Sequence, residues 1–350
     1  MPRSNWRSTA SNSFPGSAGK QTRRINILGL KWRPICARLH SWAFQDTVEP
    51  ESTRKAMSRE QADALHQQAM NLDDQGDSDA ALALYLQAIE LAPEKSETHY
   101  NIGLIYKYRG DWPASQRYNQ QAVDLTPDDE AANWNLAIAA TALRDWSCAR
   151  AVWNRLGIAI ELGDQPIEAD FGMTPVRLNA DESAEVVWAQ RIDPVRASLL
   201  NIPYPDSGFR HGDIVLHDGA AVGYRENQGR EYPVFNVLEL FTASPHSTYE
   251  IDLRLGSPED LDELQQHLDE LEIANESWSK NVRVLCRQCS EGHPHEQHDH
   301  ELEEEESWQQ EQLLAVATND EAQLRAVLAD WANDQRCVEH IECTLEGVRS

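Results

Sequence analysis

The chain is 350 residues long, with 31 basic side chains against 58 acidic ones and a net charge of −27. Residues 1–56 carry an excess of base, +7, which leaves the remainder at −34; a body this acidic repels phosphate backbones and anionic bilayers, which argues against nucleic-acid and membrane partners. No run of about 18–20 apolar residues occurs, so no membrane span is expected, and six cysteines are too few for a disulfide framework of this length, so a reducing, cytoplasmic setting is expected.

Residues 1–56 are rich in Ser, Arg and Gly and nearly free of acids, the composition of a solvated, disordered extension. Arg- and Ser-rich, acid-poor segments are also found in transit peptides. Helical sequence opens at Met57, "MSREQADALHQQA".

Residues 62–95, 96–129 and 130–163 superimpose with a period of 34. Ala69, Gly103 and Ala137 coincide, as do Leu72, Tyr106 and Ala140, and Ala88, Ala122 and Leu156. Pro93 and Pro127 coincide, and Gly76 and Gly110 share a turn position where Arg144 stands third. A further position holds Ala81, Ser115 and Ala149, and another Tyr85, Asn119 and Trp153, where Tyr118 is expected to serve in place of Asn119. This pattern resembles the tetratricopeptide repeat (TPR) family over about a third of the chain. The resemblance implies helix–turn–helix units over 57–165, stacked so that the first helix of each lines a concave groove. In this register the groove carries His66, Gln67 and Met70, then Tyr100, Asn101 and Leu104, then Trp134, Asn135 and Ile138. Amides can hold an extended peptide backbone, and exposed aromatics are enriched at interfaces. His66, Tyr100, Asn101, Lys107, Trp134 and Asn135 are therefore the candidate residues for a protein or peptide partner. Lys107, Arg109 and Arg144 are the basic candidates near the groove, too few to claim a site specialised for a free carboxylate.

The pattern changes to short β-rich runs over 166–245: "EVVWAQRI", "GDIVLHDG" and "YPVFNVLELF". A small antiparallel barrel or sandwich is expected. "RHGDIVLHDG" places His211, Asp213, His217 and Asp218 close in sequence, but Ile214 and Leu216 read as strand and His217–Gly219 as its closing turn. No nucleophile accompanies them, and no phosphate loop, GxSxG elbow or HExxH helix occurs in the chain.

Residues 246–350 read as strand "STYEIDLRL", helix "SPEDLDELQQHLDELEI", strand "NVRVLC", then strand "EQLLAVAT", helix "NDEAQLRAVLADWAND" and strand "CVEHIECTL". Ser257 is placed as N-cap and Leu261, Leu264, Leu268 and Leu271 on one apolar face; Cys337 and Cys343 share the core side of the last strand. The simplest arrangement is a ferredoxin-like βαββαβ domain, which makes the chain α+β: helical hairpins, a β-rich middle, and an α+β end with an inserted metal loop. That loop is "CRQCSEGHPHEQHDH". Cys286 and Cys289 form a knuckle that presents two thiolates to one tetrahedral ion, and His293, His295, His298 and His300 are candidates for the other two ligands. Soft sulfur with imidazole favours zinc. A redox pair would want a helix N-terminus, which this pair lacks; an unligated polar loop is the bland alternative.

These features favour a non-enzymatic adaptor with a zinc-stapled C-terminal domain. The alternatives are a metal-dependent hydrolase at the Cys/His loop and an acidic, immunity-type regulator that neutralises a basic partner. A closed four-ligand site belongs to structure, three ligands and a water to chemistry. Purified protein is expected to carry one zinc per chain by elemental analysis, and Cys286→Ser to lower that content; full occupancy in the variant would remove Cys286 from the ligand set.

Overall fold

The repeat dictates where helices begin. A computed structural model describes residues 51–180, 184–278 and 308–348, all within a unit that runs from Pro50 to Ser350. Six helices form three hairpins: α1 (Glu51–Asp73), α2 (Ser78–Leu91), α3 (Ser96–Tyr108), α4 (Trp112–Leu125), α5 (Glu130–Ala142) and α6 (Trp146–Arg155). Asp77, Asp111 and Asp145 stand 34 residues apart. Their carboxylates accept the backbone N–H of Ala80, Ala114 and Cys148 at 3.1, 3.1 and 3.2 Å, so each second helix starts on the same cap. Just before each cap the chain turns through positive φ, at Gly76 (84°), Gly110 (68°) and Arg144 (60°). Only the third turn sets a side chain in this region, which costs about 1–2 kcal/mol. Helix α1 starts six residues before Met57, inside the stretch assigned from sequence to the extension.

Large and small residues interlock within the second hairpin, between α3 and α4. A Cβ on Gly103 would lie 2.5 Å from Asn119 Nδ2, so Asn119 fills the aromatic position of the second repeat only because Gly103 leaves room for it. Its amide donates to the Ser115 carbonyl at 2.9 Å. Tyr118, beside it, stacks on Tyr106 with ring centroids 5.7 Å apart. After α6 the chain runs back along that helix: Arg150 donates to the carbonyls of Gln165 and Pro166 at 2.9 and 2.8 Å, and Ile158, Ile160 and Ile167 join the core of the third hairpin.

The middle region is a closed five-stranded barrel, β1 (Met173–Leu178), β2 (Glu185–Arg191), β3 (Arg196–Leu199), β4 (Ile214–Asn227) and β5 (Arg230–Thr242). Neighbouring strands are antiparallel except at the seam, where β1 and β5 pair in parallel, Val176 opposite Phe235. An odd number of alternating strands closes only with such a pair, so the barrel is not wholly antiparallel as expected. His217–Gly219 is not the closing turn either. β4 continues through it with register shifts at Leu216/His217 and between His217 and Ala221, and such a bulge re-aims the side chains it carries.

The remaining strands are β6 (Ser247–Arg254), β7 (Ala274–Ser277), β8 (Glu311–Thr318) and β9 (Cys337–Leu345), with helices α7 (Glu259–Glu270) and, in this numbering, α8 (Glu321–Trp331). They form an antiparallel sheet in the order β7-β8-β6-β9. Leu261, Leu264 and Leu268 of α7 and Leu324, Leu328 and Trp331 of α8 share one core with Tyr249, Ile251 and Leu253 of β6, so both helices cover the same face. The strand Ala274–Ser277 after α7 was not anticipated, and "NVRVLC" at 281–286 lies outside the described residues. Three details depart from the sequence reading. Asp260, not Ser257, closes the start of α7, accepting the N–H of Gly256 and Ser257 at 2.8 Å each. Leu271 falls past the helix end and is exposed. Cys337 is half-buried opposite the exposed Arg254, past the register shift at Asp252/Leu253, and Cys343, opposite Tyr249 on the core side, is exposed because β9 is an edge strand.

Candidate functional site

The groove side of the repeats meets the barrel. Lys107, on α3, is buried, and its ammonium donates to both carboxylate oxygens of Asp218 at 3.0 and 3.1 Å and to Asn135 Oδ1 at 3.1 Å. Asp218 also accepts the Tyr108 hydroxyl at 3.1 Å and the Gly219 N–H at 2.7 Å. Burial pulls the Lys107 ammonium below its usual range, against the Asp218 carboxylate beside it. The bulge in β4 puts Asp218 here, and it brings Gly219 so close to Trp134 that a Cβ would sit 2.8 Å from the indole.

Other contacts repeat along this boundary. Trp112 Nε1 donates to Glu239 at 2.7 Å. Arg144 donates to the Phe241 carbonyl at 3.1 Å and lies over its ring at 4.4 Å, which accounts for a side chain at the strained turn position. Arg196 is held by Asp193 at 2.5 Å and spreads over the rings of Trp146 and Phe241 at 4.5 and 4.9 Å. Val195, Leu216 and Phe241 of the barrel complete the same apolar core as Leu136, Trp146 and Trp153 of the repeats.

The six groove residues singled out from the sequence are therefore not equivalent. Lys107 and Asn135 are engaged by Asp218 within the chain. Trp134 lies under Gly219 and packs edge-on against Trp153 at 4.9 Å. Tyr100 is half-buried against the core of the third hairpin, and Asn101 donates to the Tyr85 hydroxyl at 3.0 Å. His66 hydrogen-bonds Thr98 at 2.8 Å and meets the edge of Tyr85; burial, then Lys95, lowers its pKa. Ile138 is buried, whereas Gln67 and Met70 of α1 are exposed. Sequence reasoning missed Tyr108, Trp112, Glu239 and Phe241, and it read Asp218 as part of a closing turn rather than as a partner of the groove. One signal was present: the pair Asp-Trp recurs at 111–112 and 145–146, and both indoles face the barrel.

The histidines and aspartates around β4 do not converge. Asp213 accepts the N–H of Ser244 and Arg210 at 2.6 and 2.7 Å, and His211 Nδ1 pairs with the Leu200 carbonyl at 2.9 Å. His217 is buried, stacks on Phe235 at 4.9 Å, and donates through Nδ1 to the Asp218 carbonyl at 2.8 Å. Its Nε2 has no hydrogen-bond partner among the described residues. Cys286, Cys289, His293, His295, His298 and His300 lie outside the described residues; among the described residues no group of His, Cys, Asp and Glu is placed to hold a metal ion.

Two outcomes follow from these buried groups. Asp218→Ala leaves the Lys107 ammonium unmatched and is expected to cost about 3–5 kcal/mol in chemical denaturation, most of it recovered when Lys107→Met is added; an unchanged stability in the single variant would mean the pair is solvated. His217 has its pKa lowered from 6.5 to about 4, chiefly by burial. Above pH 6.5 the imidazole is neutral whether the chain is folded or not, while between pH 6.5 and about 4 only the unfolded chain takes up the proton. Stability is thus lost as pH falls through that window, by up to roughly 3 kcal/mol. In His217→Phe the stability difference between about pH 7.5 and about pH 4.5 should shrink by a comparable amount; the same difference in both proteins would assign the acid loss to other groups.

Residues 74–110, which span α2 and α3, match the TPR repeat family. No curated protein matches the chain. Among solved structures, the first TPR of Spaghetti (RPAP3) bound to the HSP90 peptide SRMEEVD is 19% identical, covering 28% of this chain and 78% of that one at a TM-score of 0.27. The TPR2B domain of yeast Sti1 in its pHsp70 complex is 18% identical, covering 27% and 77% at 0.26. An O-GlcNAc transferase from Thermobaculum terrenum is 22% identical, covering 29% of this chain but 19% of that one, at 0.26. No described helix is long and apolar enough to cross a membrane. With the family pattern falling on two helices, α2 and α3, each bordered by a turn glycine, the chain is a TPR-containing protein.

Proposed function

We propose that this chain is a non-enzymatic adaptor that holds an extended segment of a partner protein along the first helices of its first two repeats. One observation carries the reading. The barrel engages the groove at Lys107, Trp134 and Asn135, while Gln67 and Met70 of α1 stay exposed beside the half-buried Tyr100, Asn101 and Leu104. That strip offers amides for a peptide backbone and a flexible thioether for a side chain. Its charge is set by what surrounds it. Lys107 is committed to Asp218 and Lys95 to Asp63, whereas Asp73 and Asp74 stand nearby on and just after α1. A neutral or basic segment fits this strip better than an acidic one.

The order β6-α7-β7-β8-α8-β9, with both helices on one face, supports a ferredoxin-like reading of the C-terminal part. Zinc on the Cys286–His300 stretch is proposed on the sequence pattern alone. The hydrolase alternative would place its chemistry on that same stretch. The regulator alternative draws only on net charge.

Affinity capture with quantitative mass spectrometry tests the adaptor reading. Gln67→Ala combined with Met70→Glu is expected to lose at least one partner that the parent chain retains, by about 2 kcal/mol or more in affinity, with the thermal midpoint unchanged because both side chains are exposed. Identical partner sets for the two proteins would move binding off this strip. Tyr100 and Asn101 are poor probes, since both are tied into the repeat core.

A further inference from the structure

A second cleft lies where the barrel meets the C-terminal sheet, on the face opposite α7 and α8. It has a volume of 780 Å³, and its walls include Tyr204, Asp206, Glu250, Trp278 and Glu342. Glu250 and Glu342 are direct register partners on β6 and β9. Like charges placed opposite each other across a strand pair repel and destabilise it. Burial, then the Glu342 carboxylate, pushes the Glu250 carboxyl above its usual range. Among the described residues no lysine or arginine is paired with Asp206, Glu250 or Glu342; the His340 ring lies 3.8 Å from Glu342. On the other wall Tyr204 and Trp278 face each other with centroids 4.9 Å apart. Trp278 is only 7% exposed, yet its indole Nε1–H has no hydrogen-bond partner among the described residues. A buried donor left unmatched costs about 1–3 kcal/mol.

We propose that this cleft binds a basic peptide segment of a partner protein, with an arginine or lysine head among the carboxylates of Asp206, Glu250 and Glu342 and a peptide carbonyl on the Trp278 indole N–H. The two walls ask for different things. The carboxylates call for a cation, and the aromatic faces favour one too, because a guanidinium or ammonium is drawn to the π surface. The indole N–H calls for an acceptor, which a bare metal ion or a simple amine lacks. A peptide bearing a basic side chain supplies both in one molecule. The site is independent of the groove on α1 and α3 and shares no residue with it.

The probe is a capped peptide of alternating glycine and arginine, titrated calorimetrically into the full chain, beside the same peptide with citrulline for arginine. The arginine peptide is expected to bind, and the citrulline peptide to bind at least about tenfold more weakly. Glu250→Gln with Glu342→Gln should lower affinity at least about tenfold while the protein stays folded, since the change relieves a repulsion. Trp278→Phe keeps a ring but removes the N–H and should weaken binding severalfold. Asp262→Asn with Glu270→Gln removes the same number of charges from exposed positions on α7, across the sheet, and should leave affinity unchanged. The proposal is overturned if the parent chain does not bind the arginine peptide. It is equally overturned if the α7 variant loses as much affinity as the cleft variant, which would reduce the binding to the net charge of the chain.

Discussion

A carboxylate taken out of water has to be matched, and the match for Asp218 comes from the helical repeats. Its two oxygens take the Lys107 ammonium, and one takes the Tyr108 hydroxyl as well. Neither partner is stable alone in that place: an unpaired buried charge costs several kcal/mol. The pair therefore ties the presence of the barrel to the burial of the groove lysine, and the remaining contacts fall in line. Gly219 must lack a side chain because Trp134 stands over it. His217, next in the chain, is sealed in as a neutral ring. The bulges in β4 let one strand serve both the barrel ladder and this pair.

The same boundary explains where the repeats depart from their own pattern. A third turn glycine would leave no side chain to cover Phe241, and Arg144 does so at the expense of a positive φ. The third repeat also lacks the terminal proline. Instead the chain continues as an extended segment that Arg150 holds by its carbonyls and whose isoleucines complete the hairpin core. A helical stack needs something to cover its last apolar face; here an extended segment and a barrel do it.

The helices were legible because their signals are periodic and local. The 34-residue spacing, the turn glycines and the prolines each act within a few residues of where they stand. So were β6, where "STYEIDLRL" alternates, and β8 and β9. The strands β1 and β3 were not anticipated, for they are only 6 and 4 residues long and carry Pro175 and Arg196 in place of a clean alternation. The lysine–aspartate pair joins residues 111 apart, and nothing near either residue announces the other. Lys107 looked like a groove cation because its sequence neighbourhood is that of one. What neutralises it is decided by a bulge in a distant strand.

Asp218 can also be viewed as a ligand that never leaves. Tethered in the same chain, it faces Lys107 at an effective concentration on the order of millimolar or above. A partner's carboxylate arriving at micromolar concentration competes at a disadvantage of at least about a thousandfold, roughly 4 kcal/mol, before any other contact is counted. The repeats thus keep the helices of a peptide groove while the buried Lys107 ammonium is withdrawn from the set of things a partner can reach. In the proposed adaptor role, selectivity against acidic segments follows from the covalent connection between helices and barrel.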